Sequence, residues 1–170
     1  MTKASSRSKN NPSRSRRVVV IGVGNMLLSD EGVGVHVVNM LKNMRLPAGV
    51  EVYDCGTEGL GILGFLENAD KAIIIDAVKA GGSPGGIYRF NLDEVARKDS
   101  SMKMLSLHEL DLITSVEIGK LSNIYRLPRE LVVIGVEPSS LEIGMELTSK
   151  VKQVVPKVID LILEEIKKLR

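Results

Sequence analysis

Apolar residues in this chain recur in two spacings, and the alternation between them predicts the fold. Arg17 to Val23 contains the β-branched run Val18-Val19-Val20-Ile21, the composition of a strand buried on both faces. Val33, Val37, Met40, Leu41 and Met44 then recur at helical spacing, in a helix that should stop before Pro47. A second strand is predicted over Val50 to Tyr53, a short helix from about Glu58 to Glu67, and a third strand over Lys71 to Ile75. The run Gly81-Gly82-Ser83-Pro84-Gly85-Gly86 is a loop by composition. Ile87 to Leu92 follows as a fourth strand, reached without room for a crossover helix and so expected antiparallel to the third. Ser106 opens another helix, Leu131 to Val136 is a fifth strand, and Thr148 is placed to cap a last helix running to Leu169. In that helix Val151, Val154, Val155, Val158, Ile162, Ile166 and Leu169 form the expected buried stripe, and Pro156 should kink it. The order predicts an α/β fold: a single three-layer sandwich, with a mostly parallel five-stranded sheet and helices on both faces.

That architecture gives three distant residues a common address. In open α/β sheets, ligands bind beyond the carboxyl ends of the strands, where the winding reverses. With strand order 2-1-3, Glu31, after strand one, and Asp76, at the end of strand three, emerge side by side. Ser106 with Glu109 three residues on fits a capping box, which puts His108 in the first turn of its helix. The positive end of a helix disfavours imidazolium, and neutral imidazole is the form that ligates metal. Two carboxylates and an imidazole suit a divalent ion of the zinc, nickel or cobalt kind. Each residue also has a plainer reading: Glu31 as a dipole-stabilising acid, Asp76 as a turn or helix cap, His108 as an exposed or hydrogen-bonded side chain. Their convergence on one sheet edge favours the site.

Other chemistries find less support. Gly22-Val23-Gly24 begins like a dinucleotide fingerprint, and Asp54 could mimic the ribose-binding acid, but Leu27 occupies the place of the third glycine. Asp30 and Glu31 would also put negative charge where a pyrophosphate should approach. There is no Gly-x-Ser-x-Gly elbow, no second histidine beside His108-Glu109, and no Cys-x-x-Cys pair. Cys55 reads as a packed thiol rather than a nucleophile, and His36 as structural or solvated, off the apolar stripe.

Charge divides the chain unevenly. Residues 1–16 form a basic leader; with Arg17 the segment holds Lys3, Arg7, Lys9, Arg14 and Arg16 and no carboxylate. The formal net charge of +2 thus hides a remainder with 17 basic and 21 acidic residues. A solvated leader ahead of one domain, residues 17–170, is the expectation. No run approaches the roughly 18 apolar residues of a membrane span, 3% aromatic content leaves little to stack on nucleic acid, and a lone cysteine points to a reducing cytoplasm.

At these residues the chain resembles the hydrogenase maturation endopeptidases, which trim the carboxy-terminal extension from the large subunit of [NiFe]-hydrogenases. The resemblance covers about 150 of the 170 residues, all but the leader. It is carried by Gly22-x-Gly24-Asn25-x-Leu27-x-x-Asp30-Glu31-Gly32-x-Gly34, Asp54-Cys55-Gly56-Thr57-Glu58-Gly59, Ile75-Asp76-Ala77, Ser106-Leu107-His108-Glu109-Leu110 and Gly135-Val136-Glu137-Pro138. Glu31 stands where many members carry Asp, and Cys55 where a smaller residue is common. The resemblance implies that Glu31, Asp76 and His108 match the family's three metal-contacting positions. It also implies a large-subunit precursor as partner and nickel, supplied by that precursor, as the ion recognised, with zinc or cadmium able to take its place. Two other readings stay open at this point: a metal-dependent hydrolase of small molecules, and a non-catalytic nickel-site chaperone. The cleavage position, the hydrogenase served and the oligomeric state are not readable from the residues.

Overall fold

The computed structural model describes residues 16–92 and 107–168, the side chains of 107–111 and 113 excepted. Five strands, β1 (Val18–Val23), β2 (Val50–Gly56), β3 (Lys71–Ala77), β4 (Ile87–Asn91) and β5 (Glu130–Val136), form one sheet in the order β2-β1-β3-β5-β4. All neighbours are parallel except β4 and β5. Four helices are described: α1 (Val33–Leu41), α2 (Ile62–Leu66), α3 (Leu107–Ser122) and α4 (Ser149–Lys168), with a 3₁₀ turn at Ser29–Gly32.

The period of two along each strand sorts side chains between two apolar layers. Val18, Val20, Ile73, Ile75, Val132 and Ile134 face one way and pack with α1 and α4 through Val37, Val38, Leu41, Val155, Val158 and Ile162. Val19, Ile21, Ala72, Ile74, Leu131 and Val133 face the other, against Ile62 and Leu66 of α2 and Leu112 and Val116 of α3. Helices therefore cover both faces, as the buried strands require.

Some sequence expectations shift. β4 is antiparallel as expected, but its neighbour is β5 rather than β3, because the later strand inserts between them and completes the parallel run. The second helix shrinks to five residues, preceded by turns from Glu58. Met40 of α1 and Met44, beyond the end of that helix, are exposed, and Val35 and Val38 take the buried places. On α4, Ile159 and the polar Glu165 join the buried face, whereas Leu169 lies outside the described residues. Thr148 stands just before α4 with its carbonyl accepting from Lys152 N–H, but its hydroxyl donates to Asp30.

At the amino-terminal edge of the sheet the fold buries an ion network. Lys71 is fully buried at the start of β3, 2.8 Å from Glu165 of α4 and 3.0 Å from Glu130 of β5. Arg89 and Lys168 also donate to Glu165. Burial alone would push the Glu165 carboxyl up; hydrogen bonds from Arg89, Lys168 and Lys71 reverse this and hold it below the ordinary carboxylate range.

Candidate functional site

The site is built at the opposite edge, where β1 and β3 release their chains. β2 lies on one side of β1 and β3 on the other, so the winding reverses between β1 and β3. Gly22 pairs with Ile75, the residue before Asp76. From β1 the chain loops through Gly24 to Leu28, makes the 3₁₀ turn that carries Glu31, and enters α1 without a spacer.

Two glycines press this loop onto the sheet edge. A Cβ on Gly34 would overlap the carbonyl oxygens of Ile75 and Val23, so the first turn of α1 lies directly on the ends of β1 and β3. Gly24, at φ +129°, lies under the Glu31 carbonyl, where a Cβ would again overlap backbone. The Gly24 amide donates to Gly56 at the end of β2. With both approaches closed to any side chain, the turn bearing Glu31 rests against β3, at the end of which Asp76 stands.

Glu31 and Asp76 are both buried, at 7% and 3% exposure. Asp76 Oδ1 accepts from the Ala77 amide at 2.8 Å, which fixes the carboxylate plane against its own strand end. Asp30 is wholly buried and is committed elsewhere. Its Oδ2 accepts from the Ser139 and Ser140 amides and the Thr148 hydroxyl, and its Oδ1 from the Thr148 amide. Four donors make it a clamp holding the segment before α4 against the turn that bears Glu31. Sequence reading did not assign Asp30 this task; the only signal was its place beside Glu31 in the glycine-rich run.

His108 lies in the first turn of α3, as the sequence predicts for its backbone. Its side chain, like Ser106 and the expected capping box, lies outside the described residues. The described residues alone bring no three His, Cys, Asp or Glu side chains into a metal-holding group.

The neighbours have assigned tasks. Glu137, after β5, accepts from the amides of Ala80 and Gly82 and from the Tyr88 hydroxyl, which orders the glycine-rich loop. Burial opposes its ionisation, and these donors overcome that and lower its pKa. Asp54 accepts from the Gly56 amide in its own turn, away from any ribose-binding task. Burial first, then the Glu58 and Asp54 carboxylates, push the Cys55 thiol up to about 12, so it stays protonated at neutral pH. His36 is half-buried on α1, its Nε2 buried and unpartnered among the described residues.

A family model described as hydrogenase maturation protease matches residues 35–165. The chain belongs to the hydrogenase maturation protease family. The protease is 37% identical over 151 residues to the hydrogenase expression/formation protein HupD of Bradyrhizobium diazoefficiens, covering 88% of this chain and 77% of that one. It is 34% identical over 148 residues to the hydrogenase 2 maturation protease of Escherichia coli, covering 86% and 88%. Among solved structures, the hydrogenase maturating endopeptidase HybD from E. coli matches with a TM-score of 0.76 at 31% identity, over 89% of this chain and 93% of that one. The family expected from the motifs and the α/β fold expected from the apolar periodicity are thereby shown, and with them a protease activity. Among the described residues of the protease no helix is long and apolar enough to cross a membrane.

Proposed function

We propose that the protease removes the carboxy-terminal extension of a [NiFe]-hydrogenase large-subunit precursor after nickel insertion, and that Glu31, Asp76 and His108 grip the precursor's nickel. The observation that carries this reading is the pressing of the Glu31 turn onto the β3 end beside Asp76, through glycines that admit no side chain. Two buried carboxylates from separate elements, with an imidazole able to come from the first turn of α3, form a donor set suited to a divalent ion. Nickel is then a mark on the substrate: only a loaded precursor presents the ion that these ligands hold.

Gripping the ion fixes the precursor relative to the protease and brings its scissile bond beside the same edge. Positioning of this kind lowers a barrier by roughly 7 to 11 kcal/mol in favourable intramolecular cases. The ion, when held, supplies Lewis-acid polarisation at that place. The protease acts where the precursor is assembled, in the cytoplasm.

The test uses Glu31→Gln, Asp76→Asn and His108→Ala, each checked for native circular dichroism and incubated with cognate nickel-loaded precursor. Intact mass should show the precursor uncut by all three. Wild-type processing by any one of them removes that residue from the site.

A further inference from the structure

We propose that Leu27, Ile143 and Met145 form a docking ridge that receives an apolar stretch of the precursor chain next to the bond being cut. The inference rests on the reading of the Glu31 edge as the place of cleavage, and it names a surface that this reading does not supply.

Leu27, Ile143 and Met145 are 59%, 93% and 63% exposed. Single exposed apolar residues are ordinary on any protein surface. These three are not scattered, because backbone pairing joins their segments: Leu28 and Gly144 form a parallel bridge. The Gly144 amide donates to the Leu27 carbonyl at 3.0 Å, and the Ser29 amide donates to the Gly144 carbonyl at 2.7 Å. Leu27, Ile143 and Met145 thus flank one bridged step of backbone, immediately before the 3₁₀ turn begins.

The ridge is also held firmly. Asp30, immediately before Glu31, accepts from Ser139 and Ser140 on one side of residues 143–145 and from Thr148 on the other. The Asp30 amide donates back to the Ser140 carbonyl. Both ends of the loop are therefore tied to the turn that carries Glu31. A surface ordered in advance loses less entropy on binding, which is the property a docking face needs and a solvated loop does not.

Position selects the occupant. The ridge is continuous in backbone with the Glu31 turn, so a chain seated on Leu27 lies beside the site. Exposed Glu142 and Glu146 border Ile143 and Met145, which fits an apolar stretch with basic neighbours. The occupant is the precursor rather than a second copy, since a copy seated there would cover the edge the substrate must reach.

The experiment compares wild type with Leu27→Ser, Ile143→Ser, Met145→Ser and the triple variant, using cognate precursor. Being exposed, these positions should leave the urea midpoint unchanged. For nickel-loaded precursor, each substitution should raise KM about tenfold, equivalent to about 1.4 kcal/mol, with the loss in KM rather than in kcat. Binding of nickel-free precursor, measured by surface plasmon resonance, should weaken by a similar factor. Unchanged KM and unchanged binding in the triple variant would overturn the ridge while leaving the protease reading intact. Conversely, a precursor that wild type binds through the ridge but never cuts would sink the cleavage reading and keep the ridge. Sedimentation showing a wild-type dimer that the triple variant abolishes would assign the face to a second copy and overturn the proposal.

Discussion

Asp30 and Thr148 meet twice: the Thr148 amide donates to Oδ1 at 2.7 Å and the Thr148 hydroxyl to Oδ2 at 2.8 Å. This pairing fastens the start of α4 to the turn that carries Glu31, so the geometry of the site is linked to the last helix. Asp30→Asn replaces one accepting oxygen with a donor and sets it against buried N–H and O–H groups. The expected cost is on the order of 2 to 3 kcal/mol, read from urea denaturation, together with slower precursor processing. Full stability in that variant would show that the clamp is dispensable.

Gly34 and Gly59 form a matched pair for testing the close approach. A Cβ at Gly34 would overlap the Ile75 and Val23 carbonyls, whereas at Gly59 it would meet nothing within 4 Å. Gly34→Ala should destabilise by about 3 kcal/mol or more, and Gly59→Ala should stay near neutral. Equal midpoints for the two variants would show that helix and strand can separate without cost.

The buried ion network predicts a pH dependence. The Glu165 carboxyl is held below its ordinary value in the folded protein, so the unfolded chain binds more protons as the solution is acidified. Its contribution is present in full above the unfolded carboxylate value of 4.5 and is lost as pH falls through and below it. Urea midpoints for wild type should therefore fall between pH 6 and about pH 3, and Glu165→Gln should flatten that fall. A slope unchanged by the substitution would place the acid sensitivity elsewhere, for example at Glu51 and Glu137, which are also lowered.

Cys55 is 3% exposed with its thiol pushed up to about 12. A thiol reagent at pH 7.5 should leave the folded protein nearly unmodified and label it fully in urea. Rapid labelling of the folded state would restore Cys55 as a candidate nucleophile.

Much of the fold was legible because apolar periodicity is a local signal. The runs Val18 to Ile21, Ala72 to Ile75 and Leu131 to Val136 can be buried on both faces only in a covered parallel sheet. What escaped depends on pairing across long separations. The insertion of β5 between β3 and β4 rests on pairing between strands far apart in the chain, which no local pattern encodes. The pairing of Lys71 with Glu165 had no signal in the sequence, because strand and helix bury them together across 94 residues of chain. For the candidate site, Glu31 and Asp76 were singled out because the sequence places each near the carboxyl end of a strand; Asp30, with the same composition signal, was passed over because its partners lie more than 100 residues away. Glu137 was visible only as part of a short motif, and its task depends on a loop and on Tyr88 of β4.

In the proposed function, nickel on the precursor licenses the cut. The intact mass of the cognate large-subunit precursor after incubation with the wild-type protease, with and without nickel loaded, decides whether it does. Loss of a short carboxy-terminal peptide from the loaded form alone is the predicted result. Equal loss from both forms would contradict it and leave Glu31, Asp76 and His108 without a role in reading the ion.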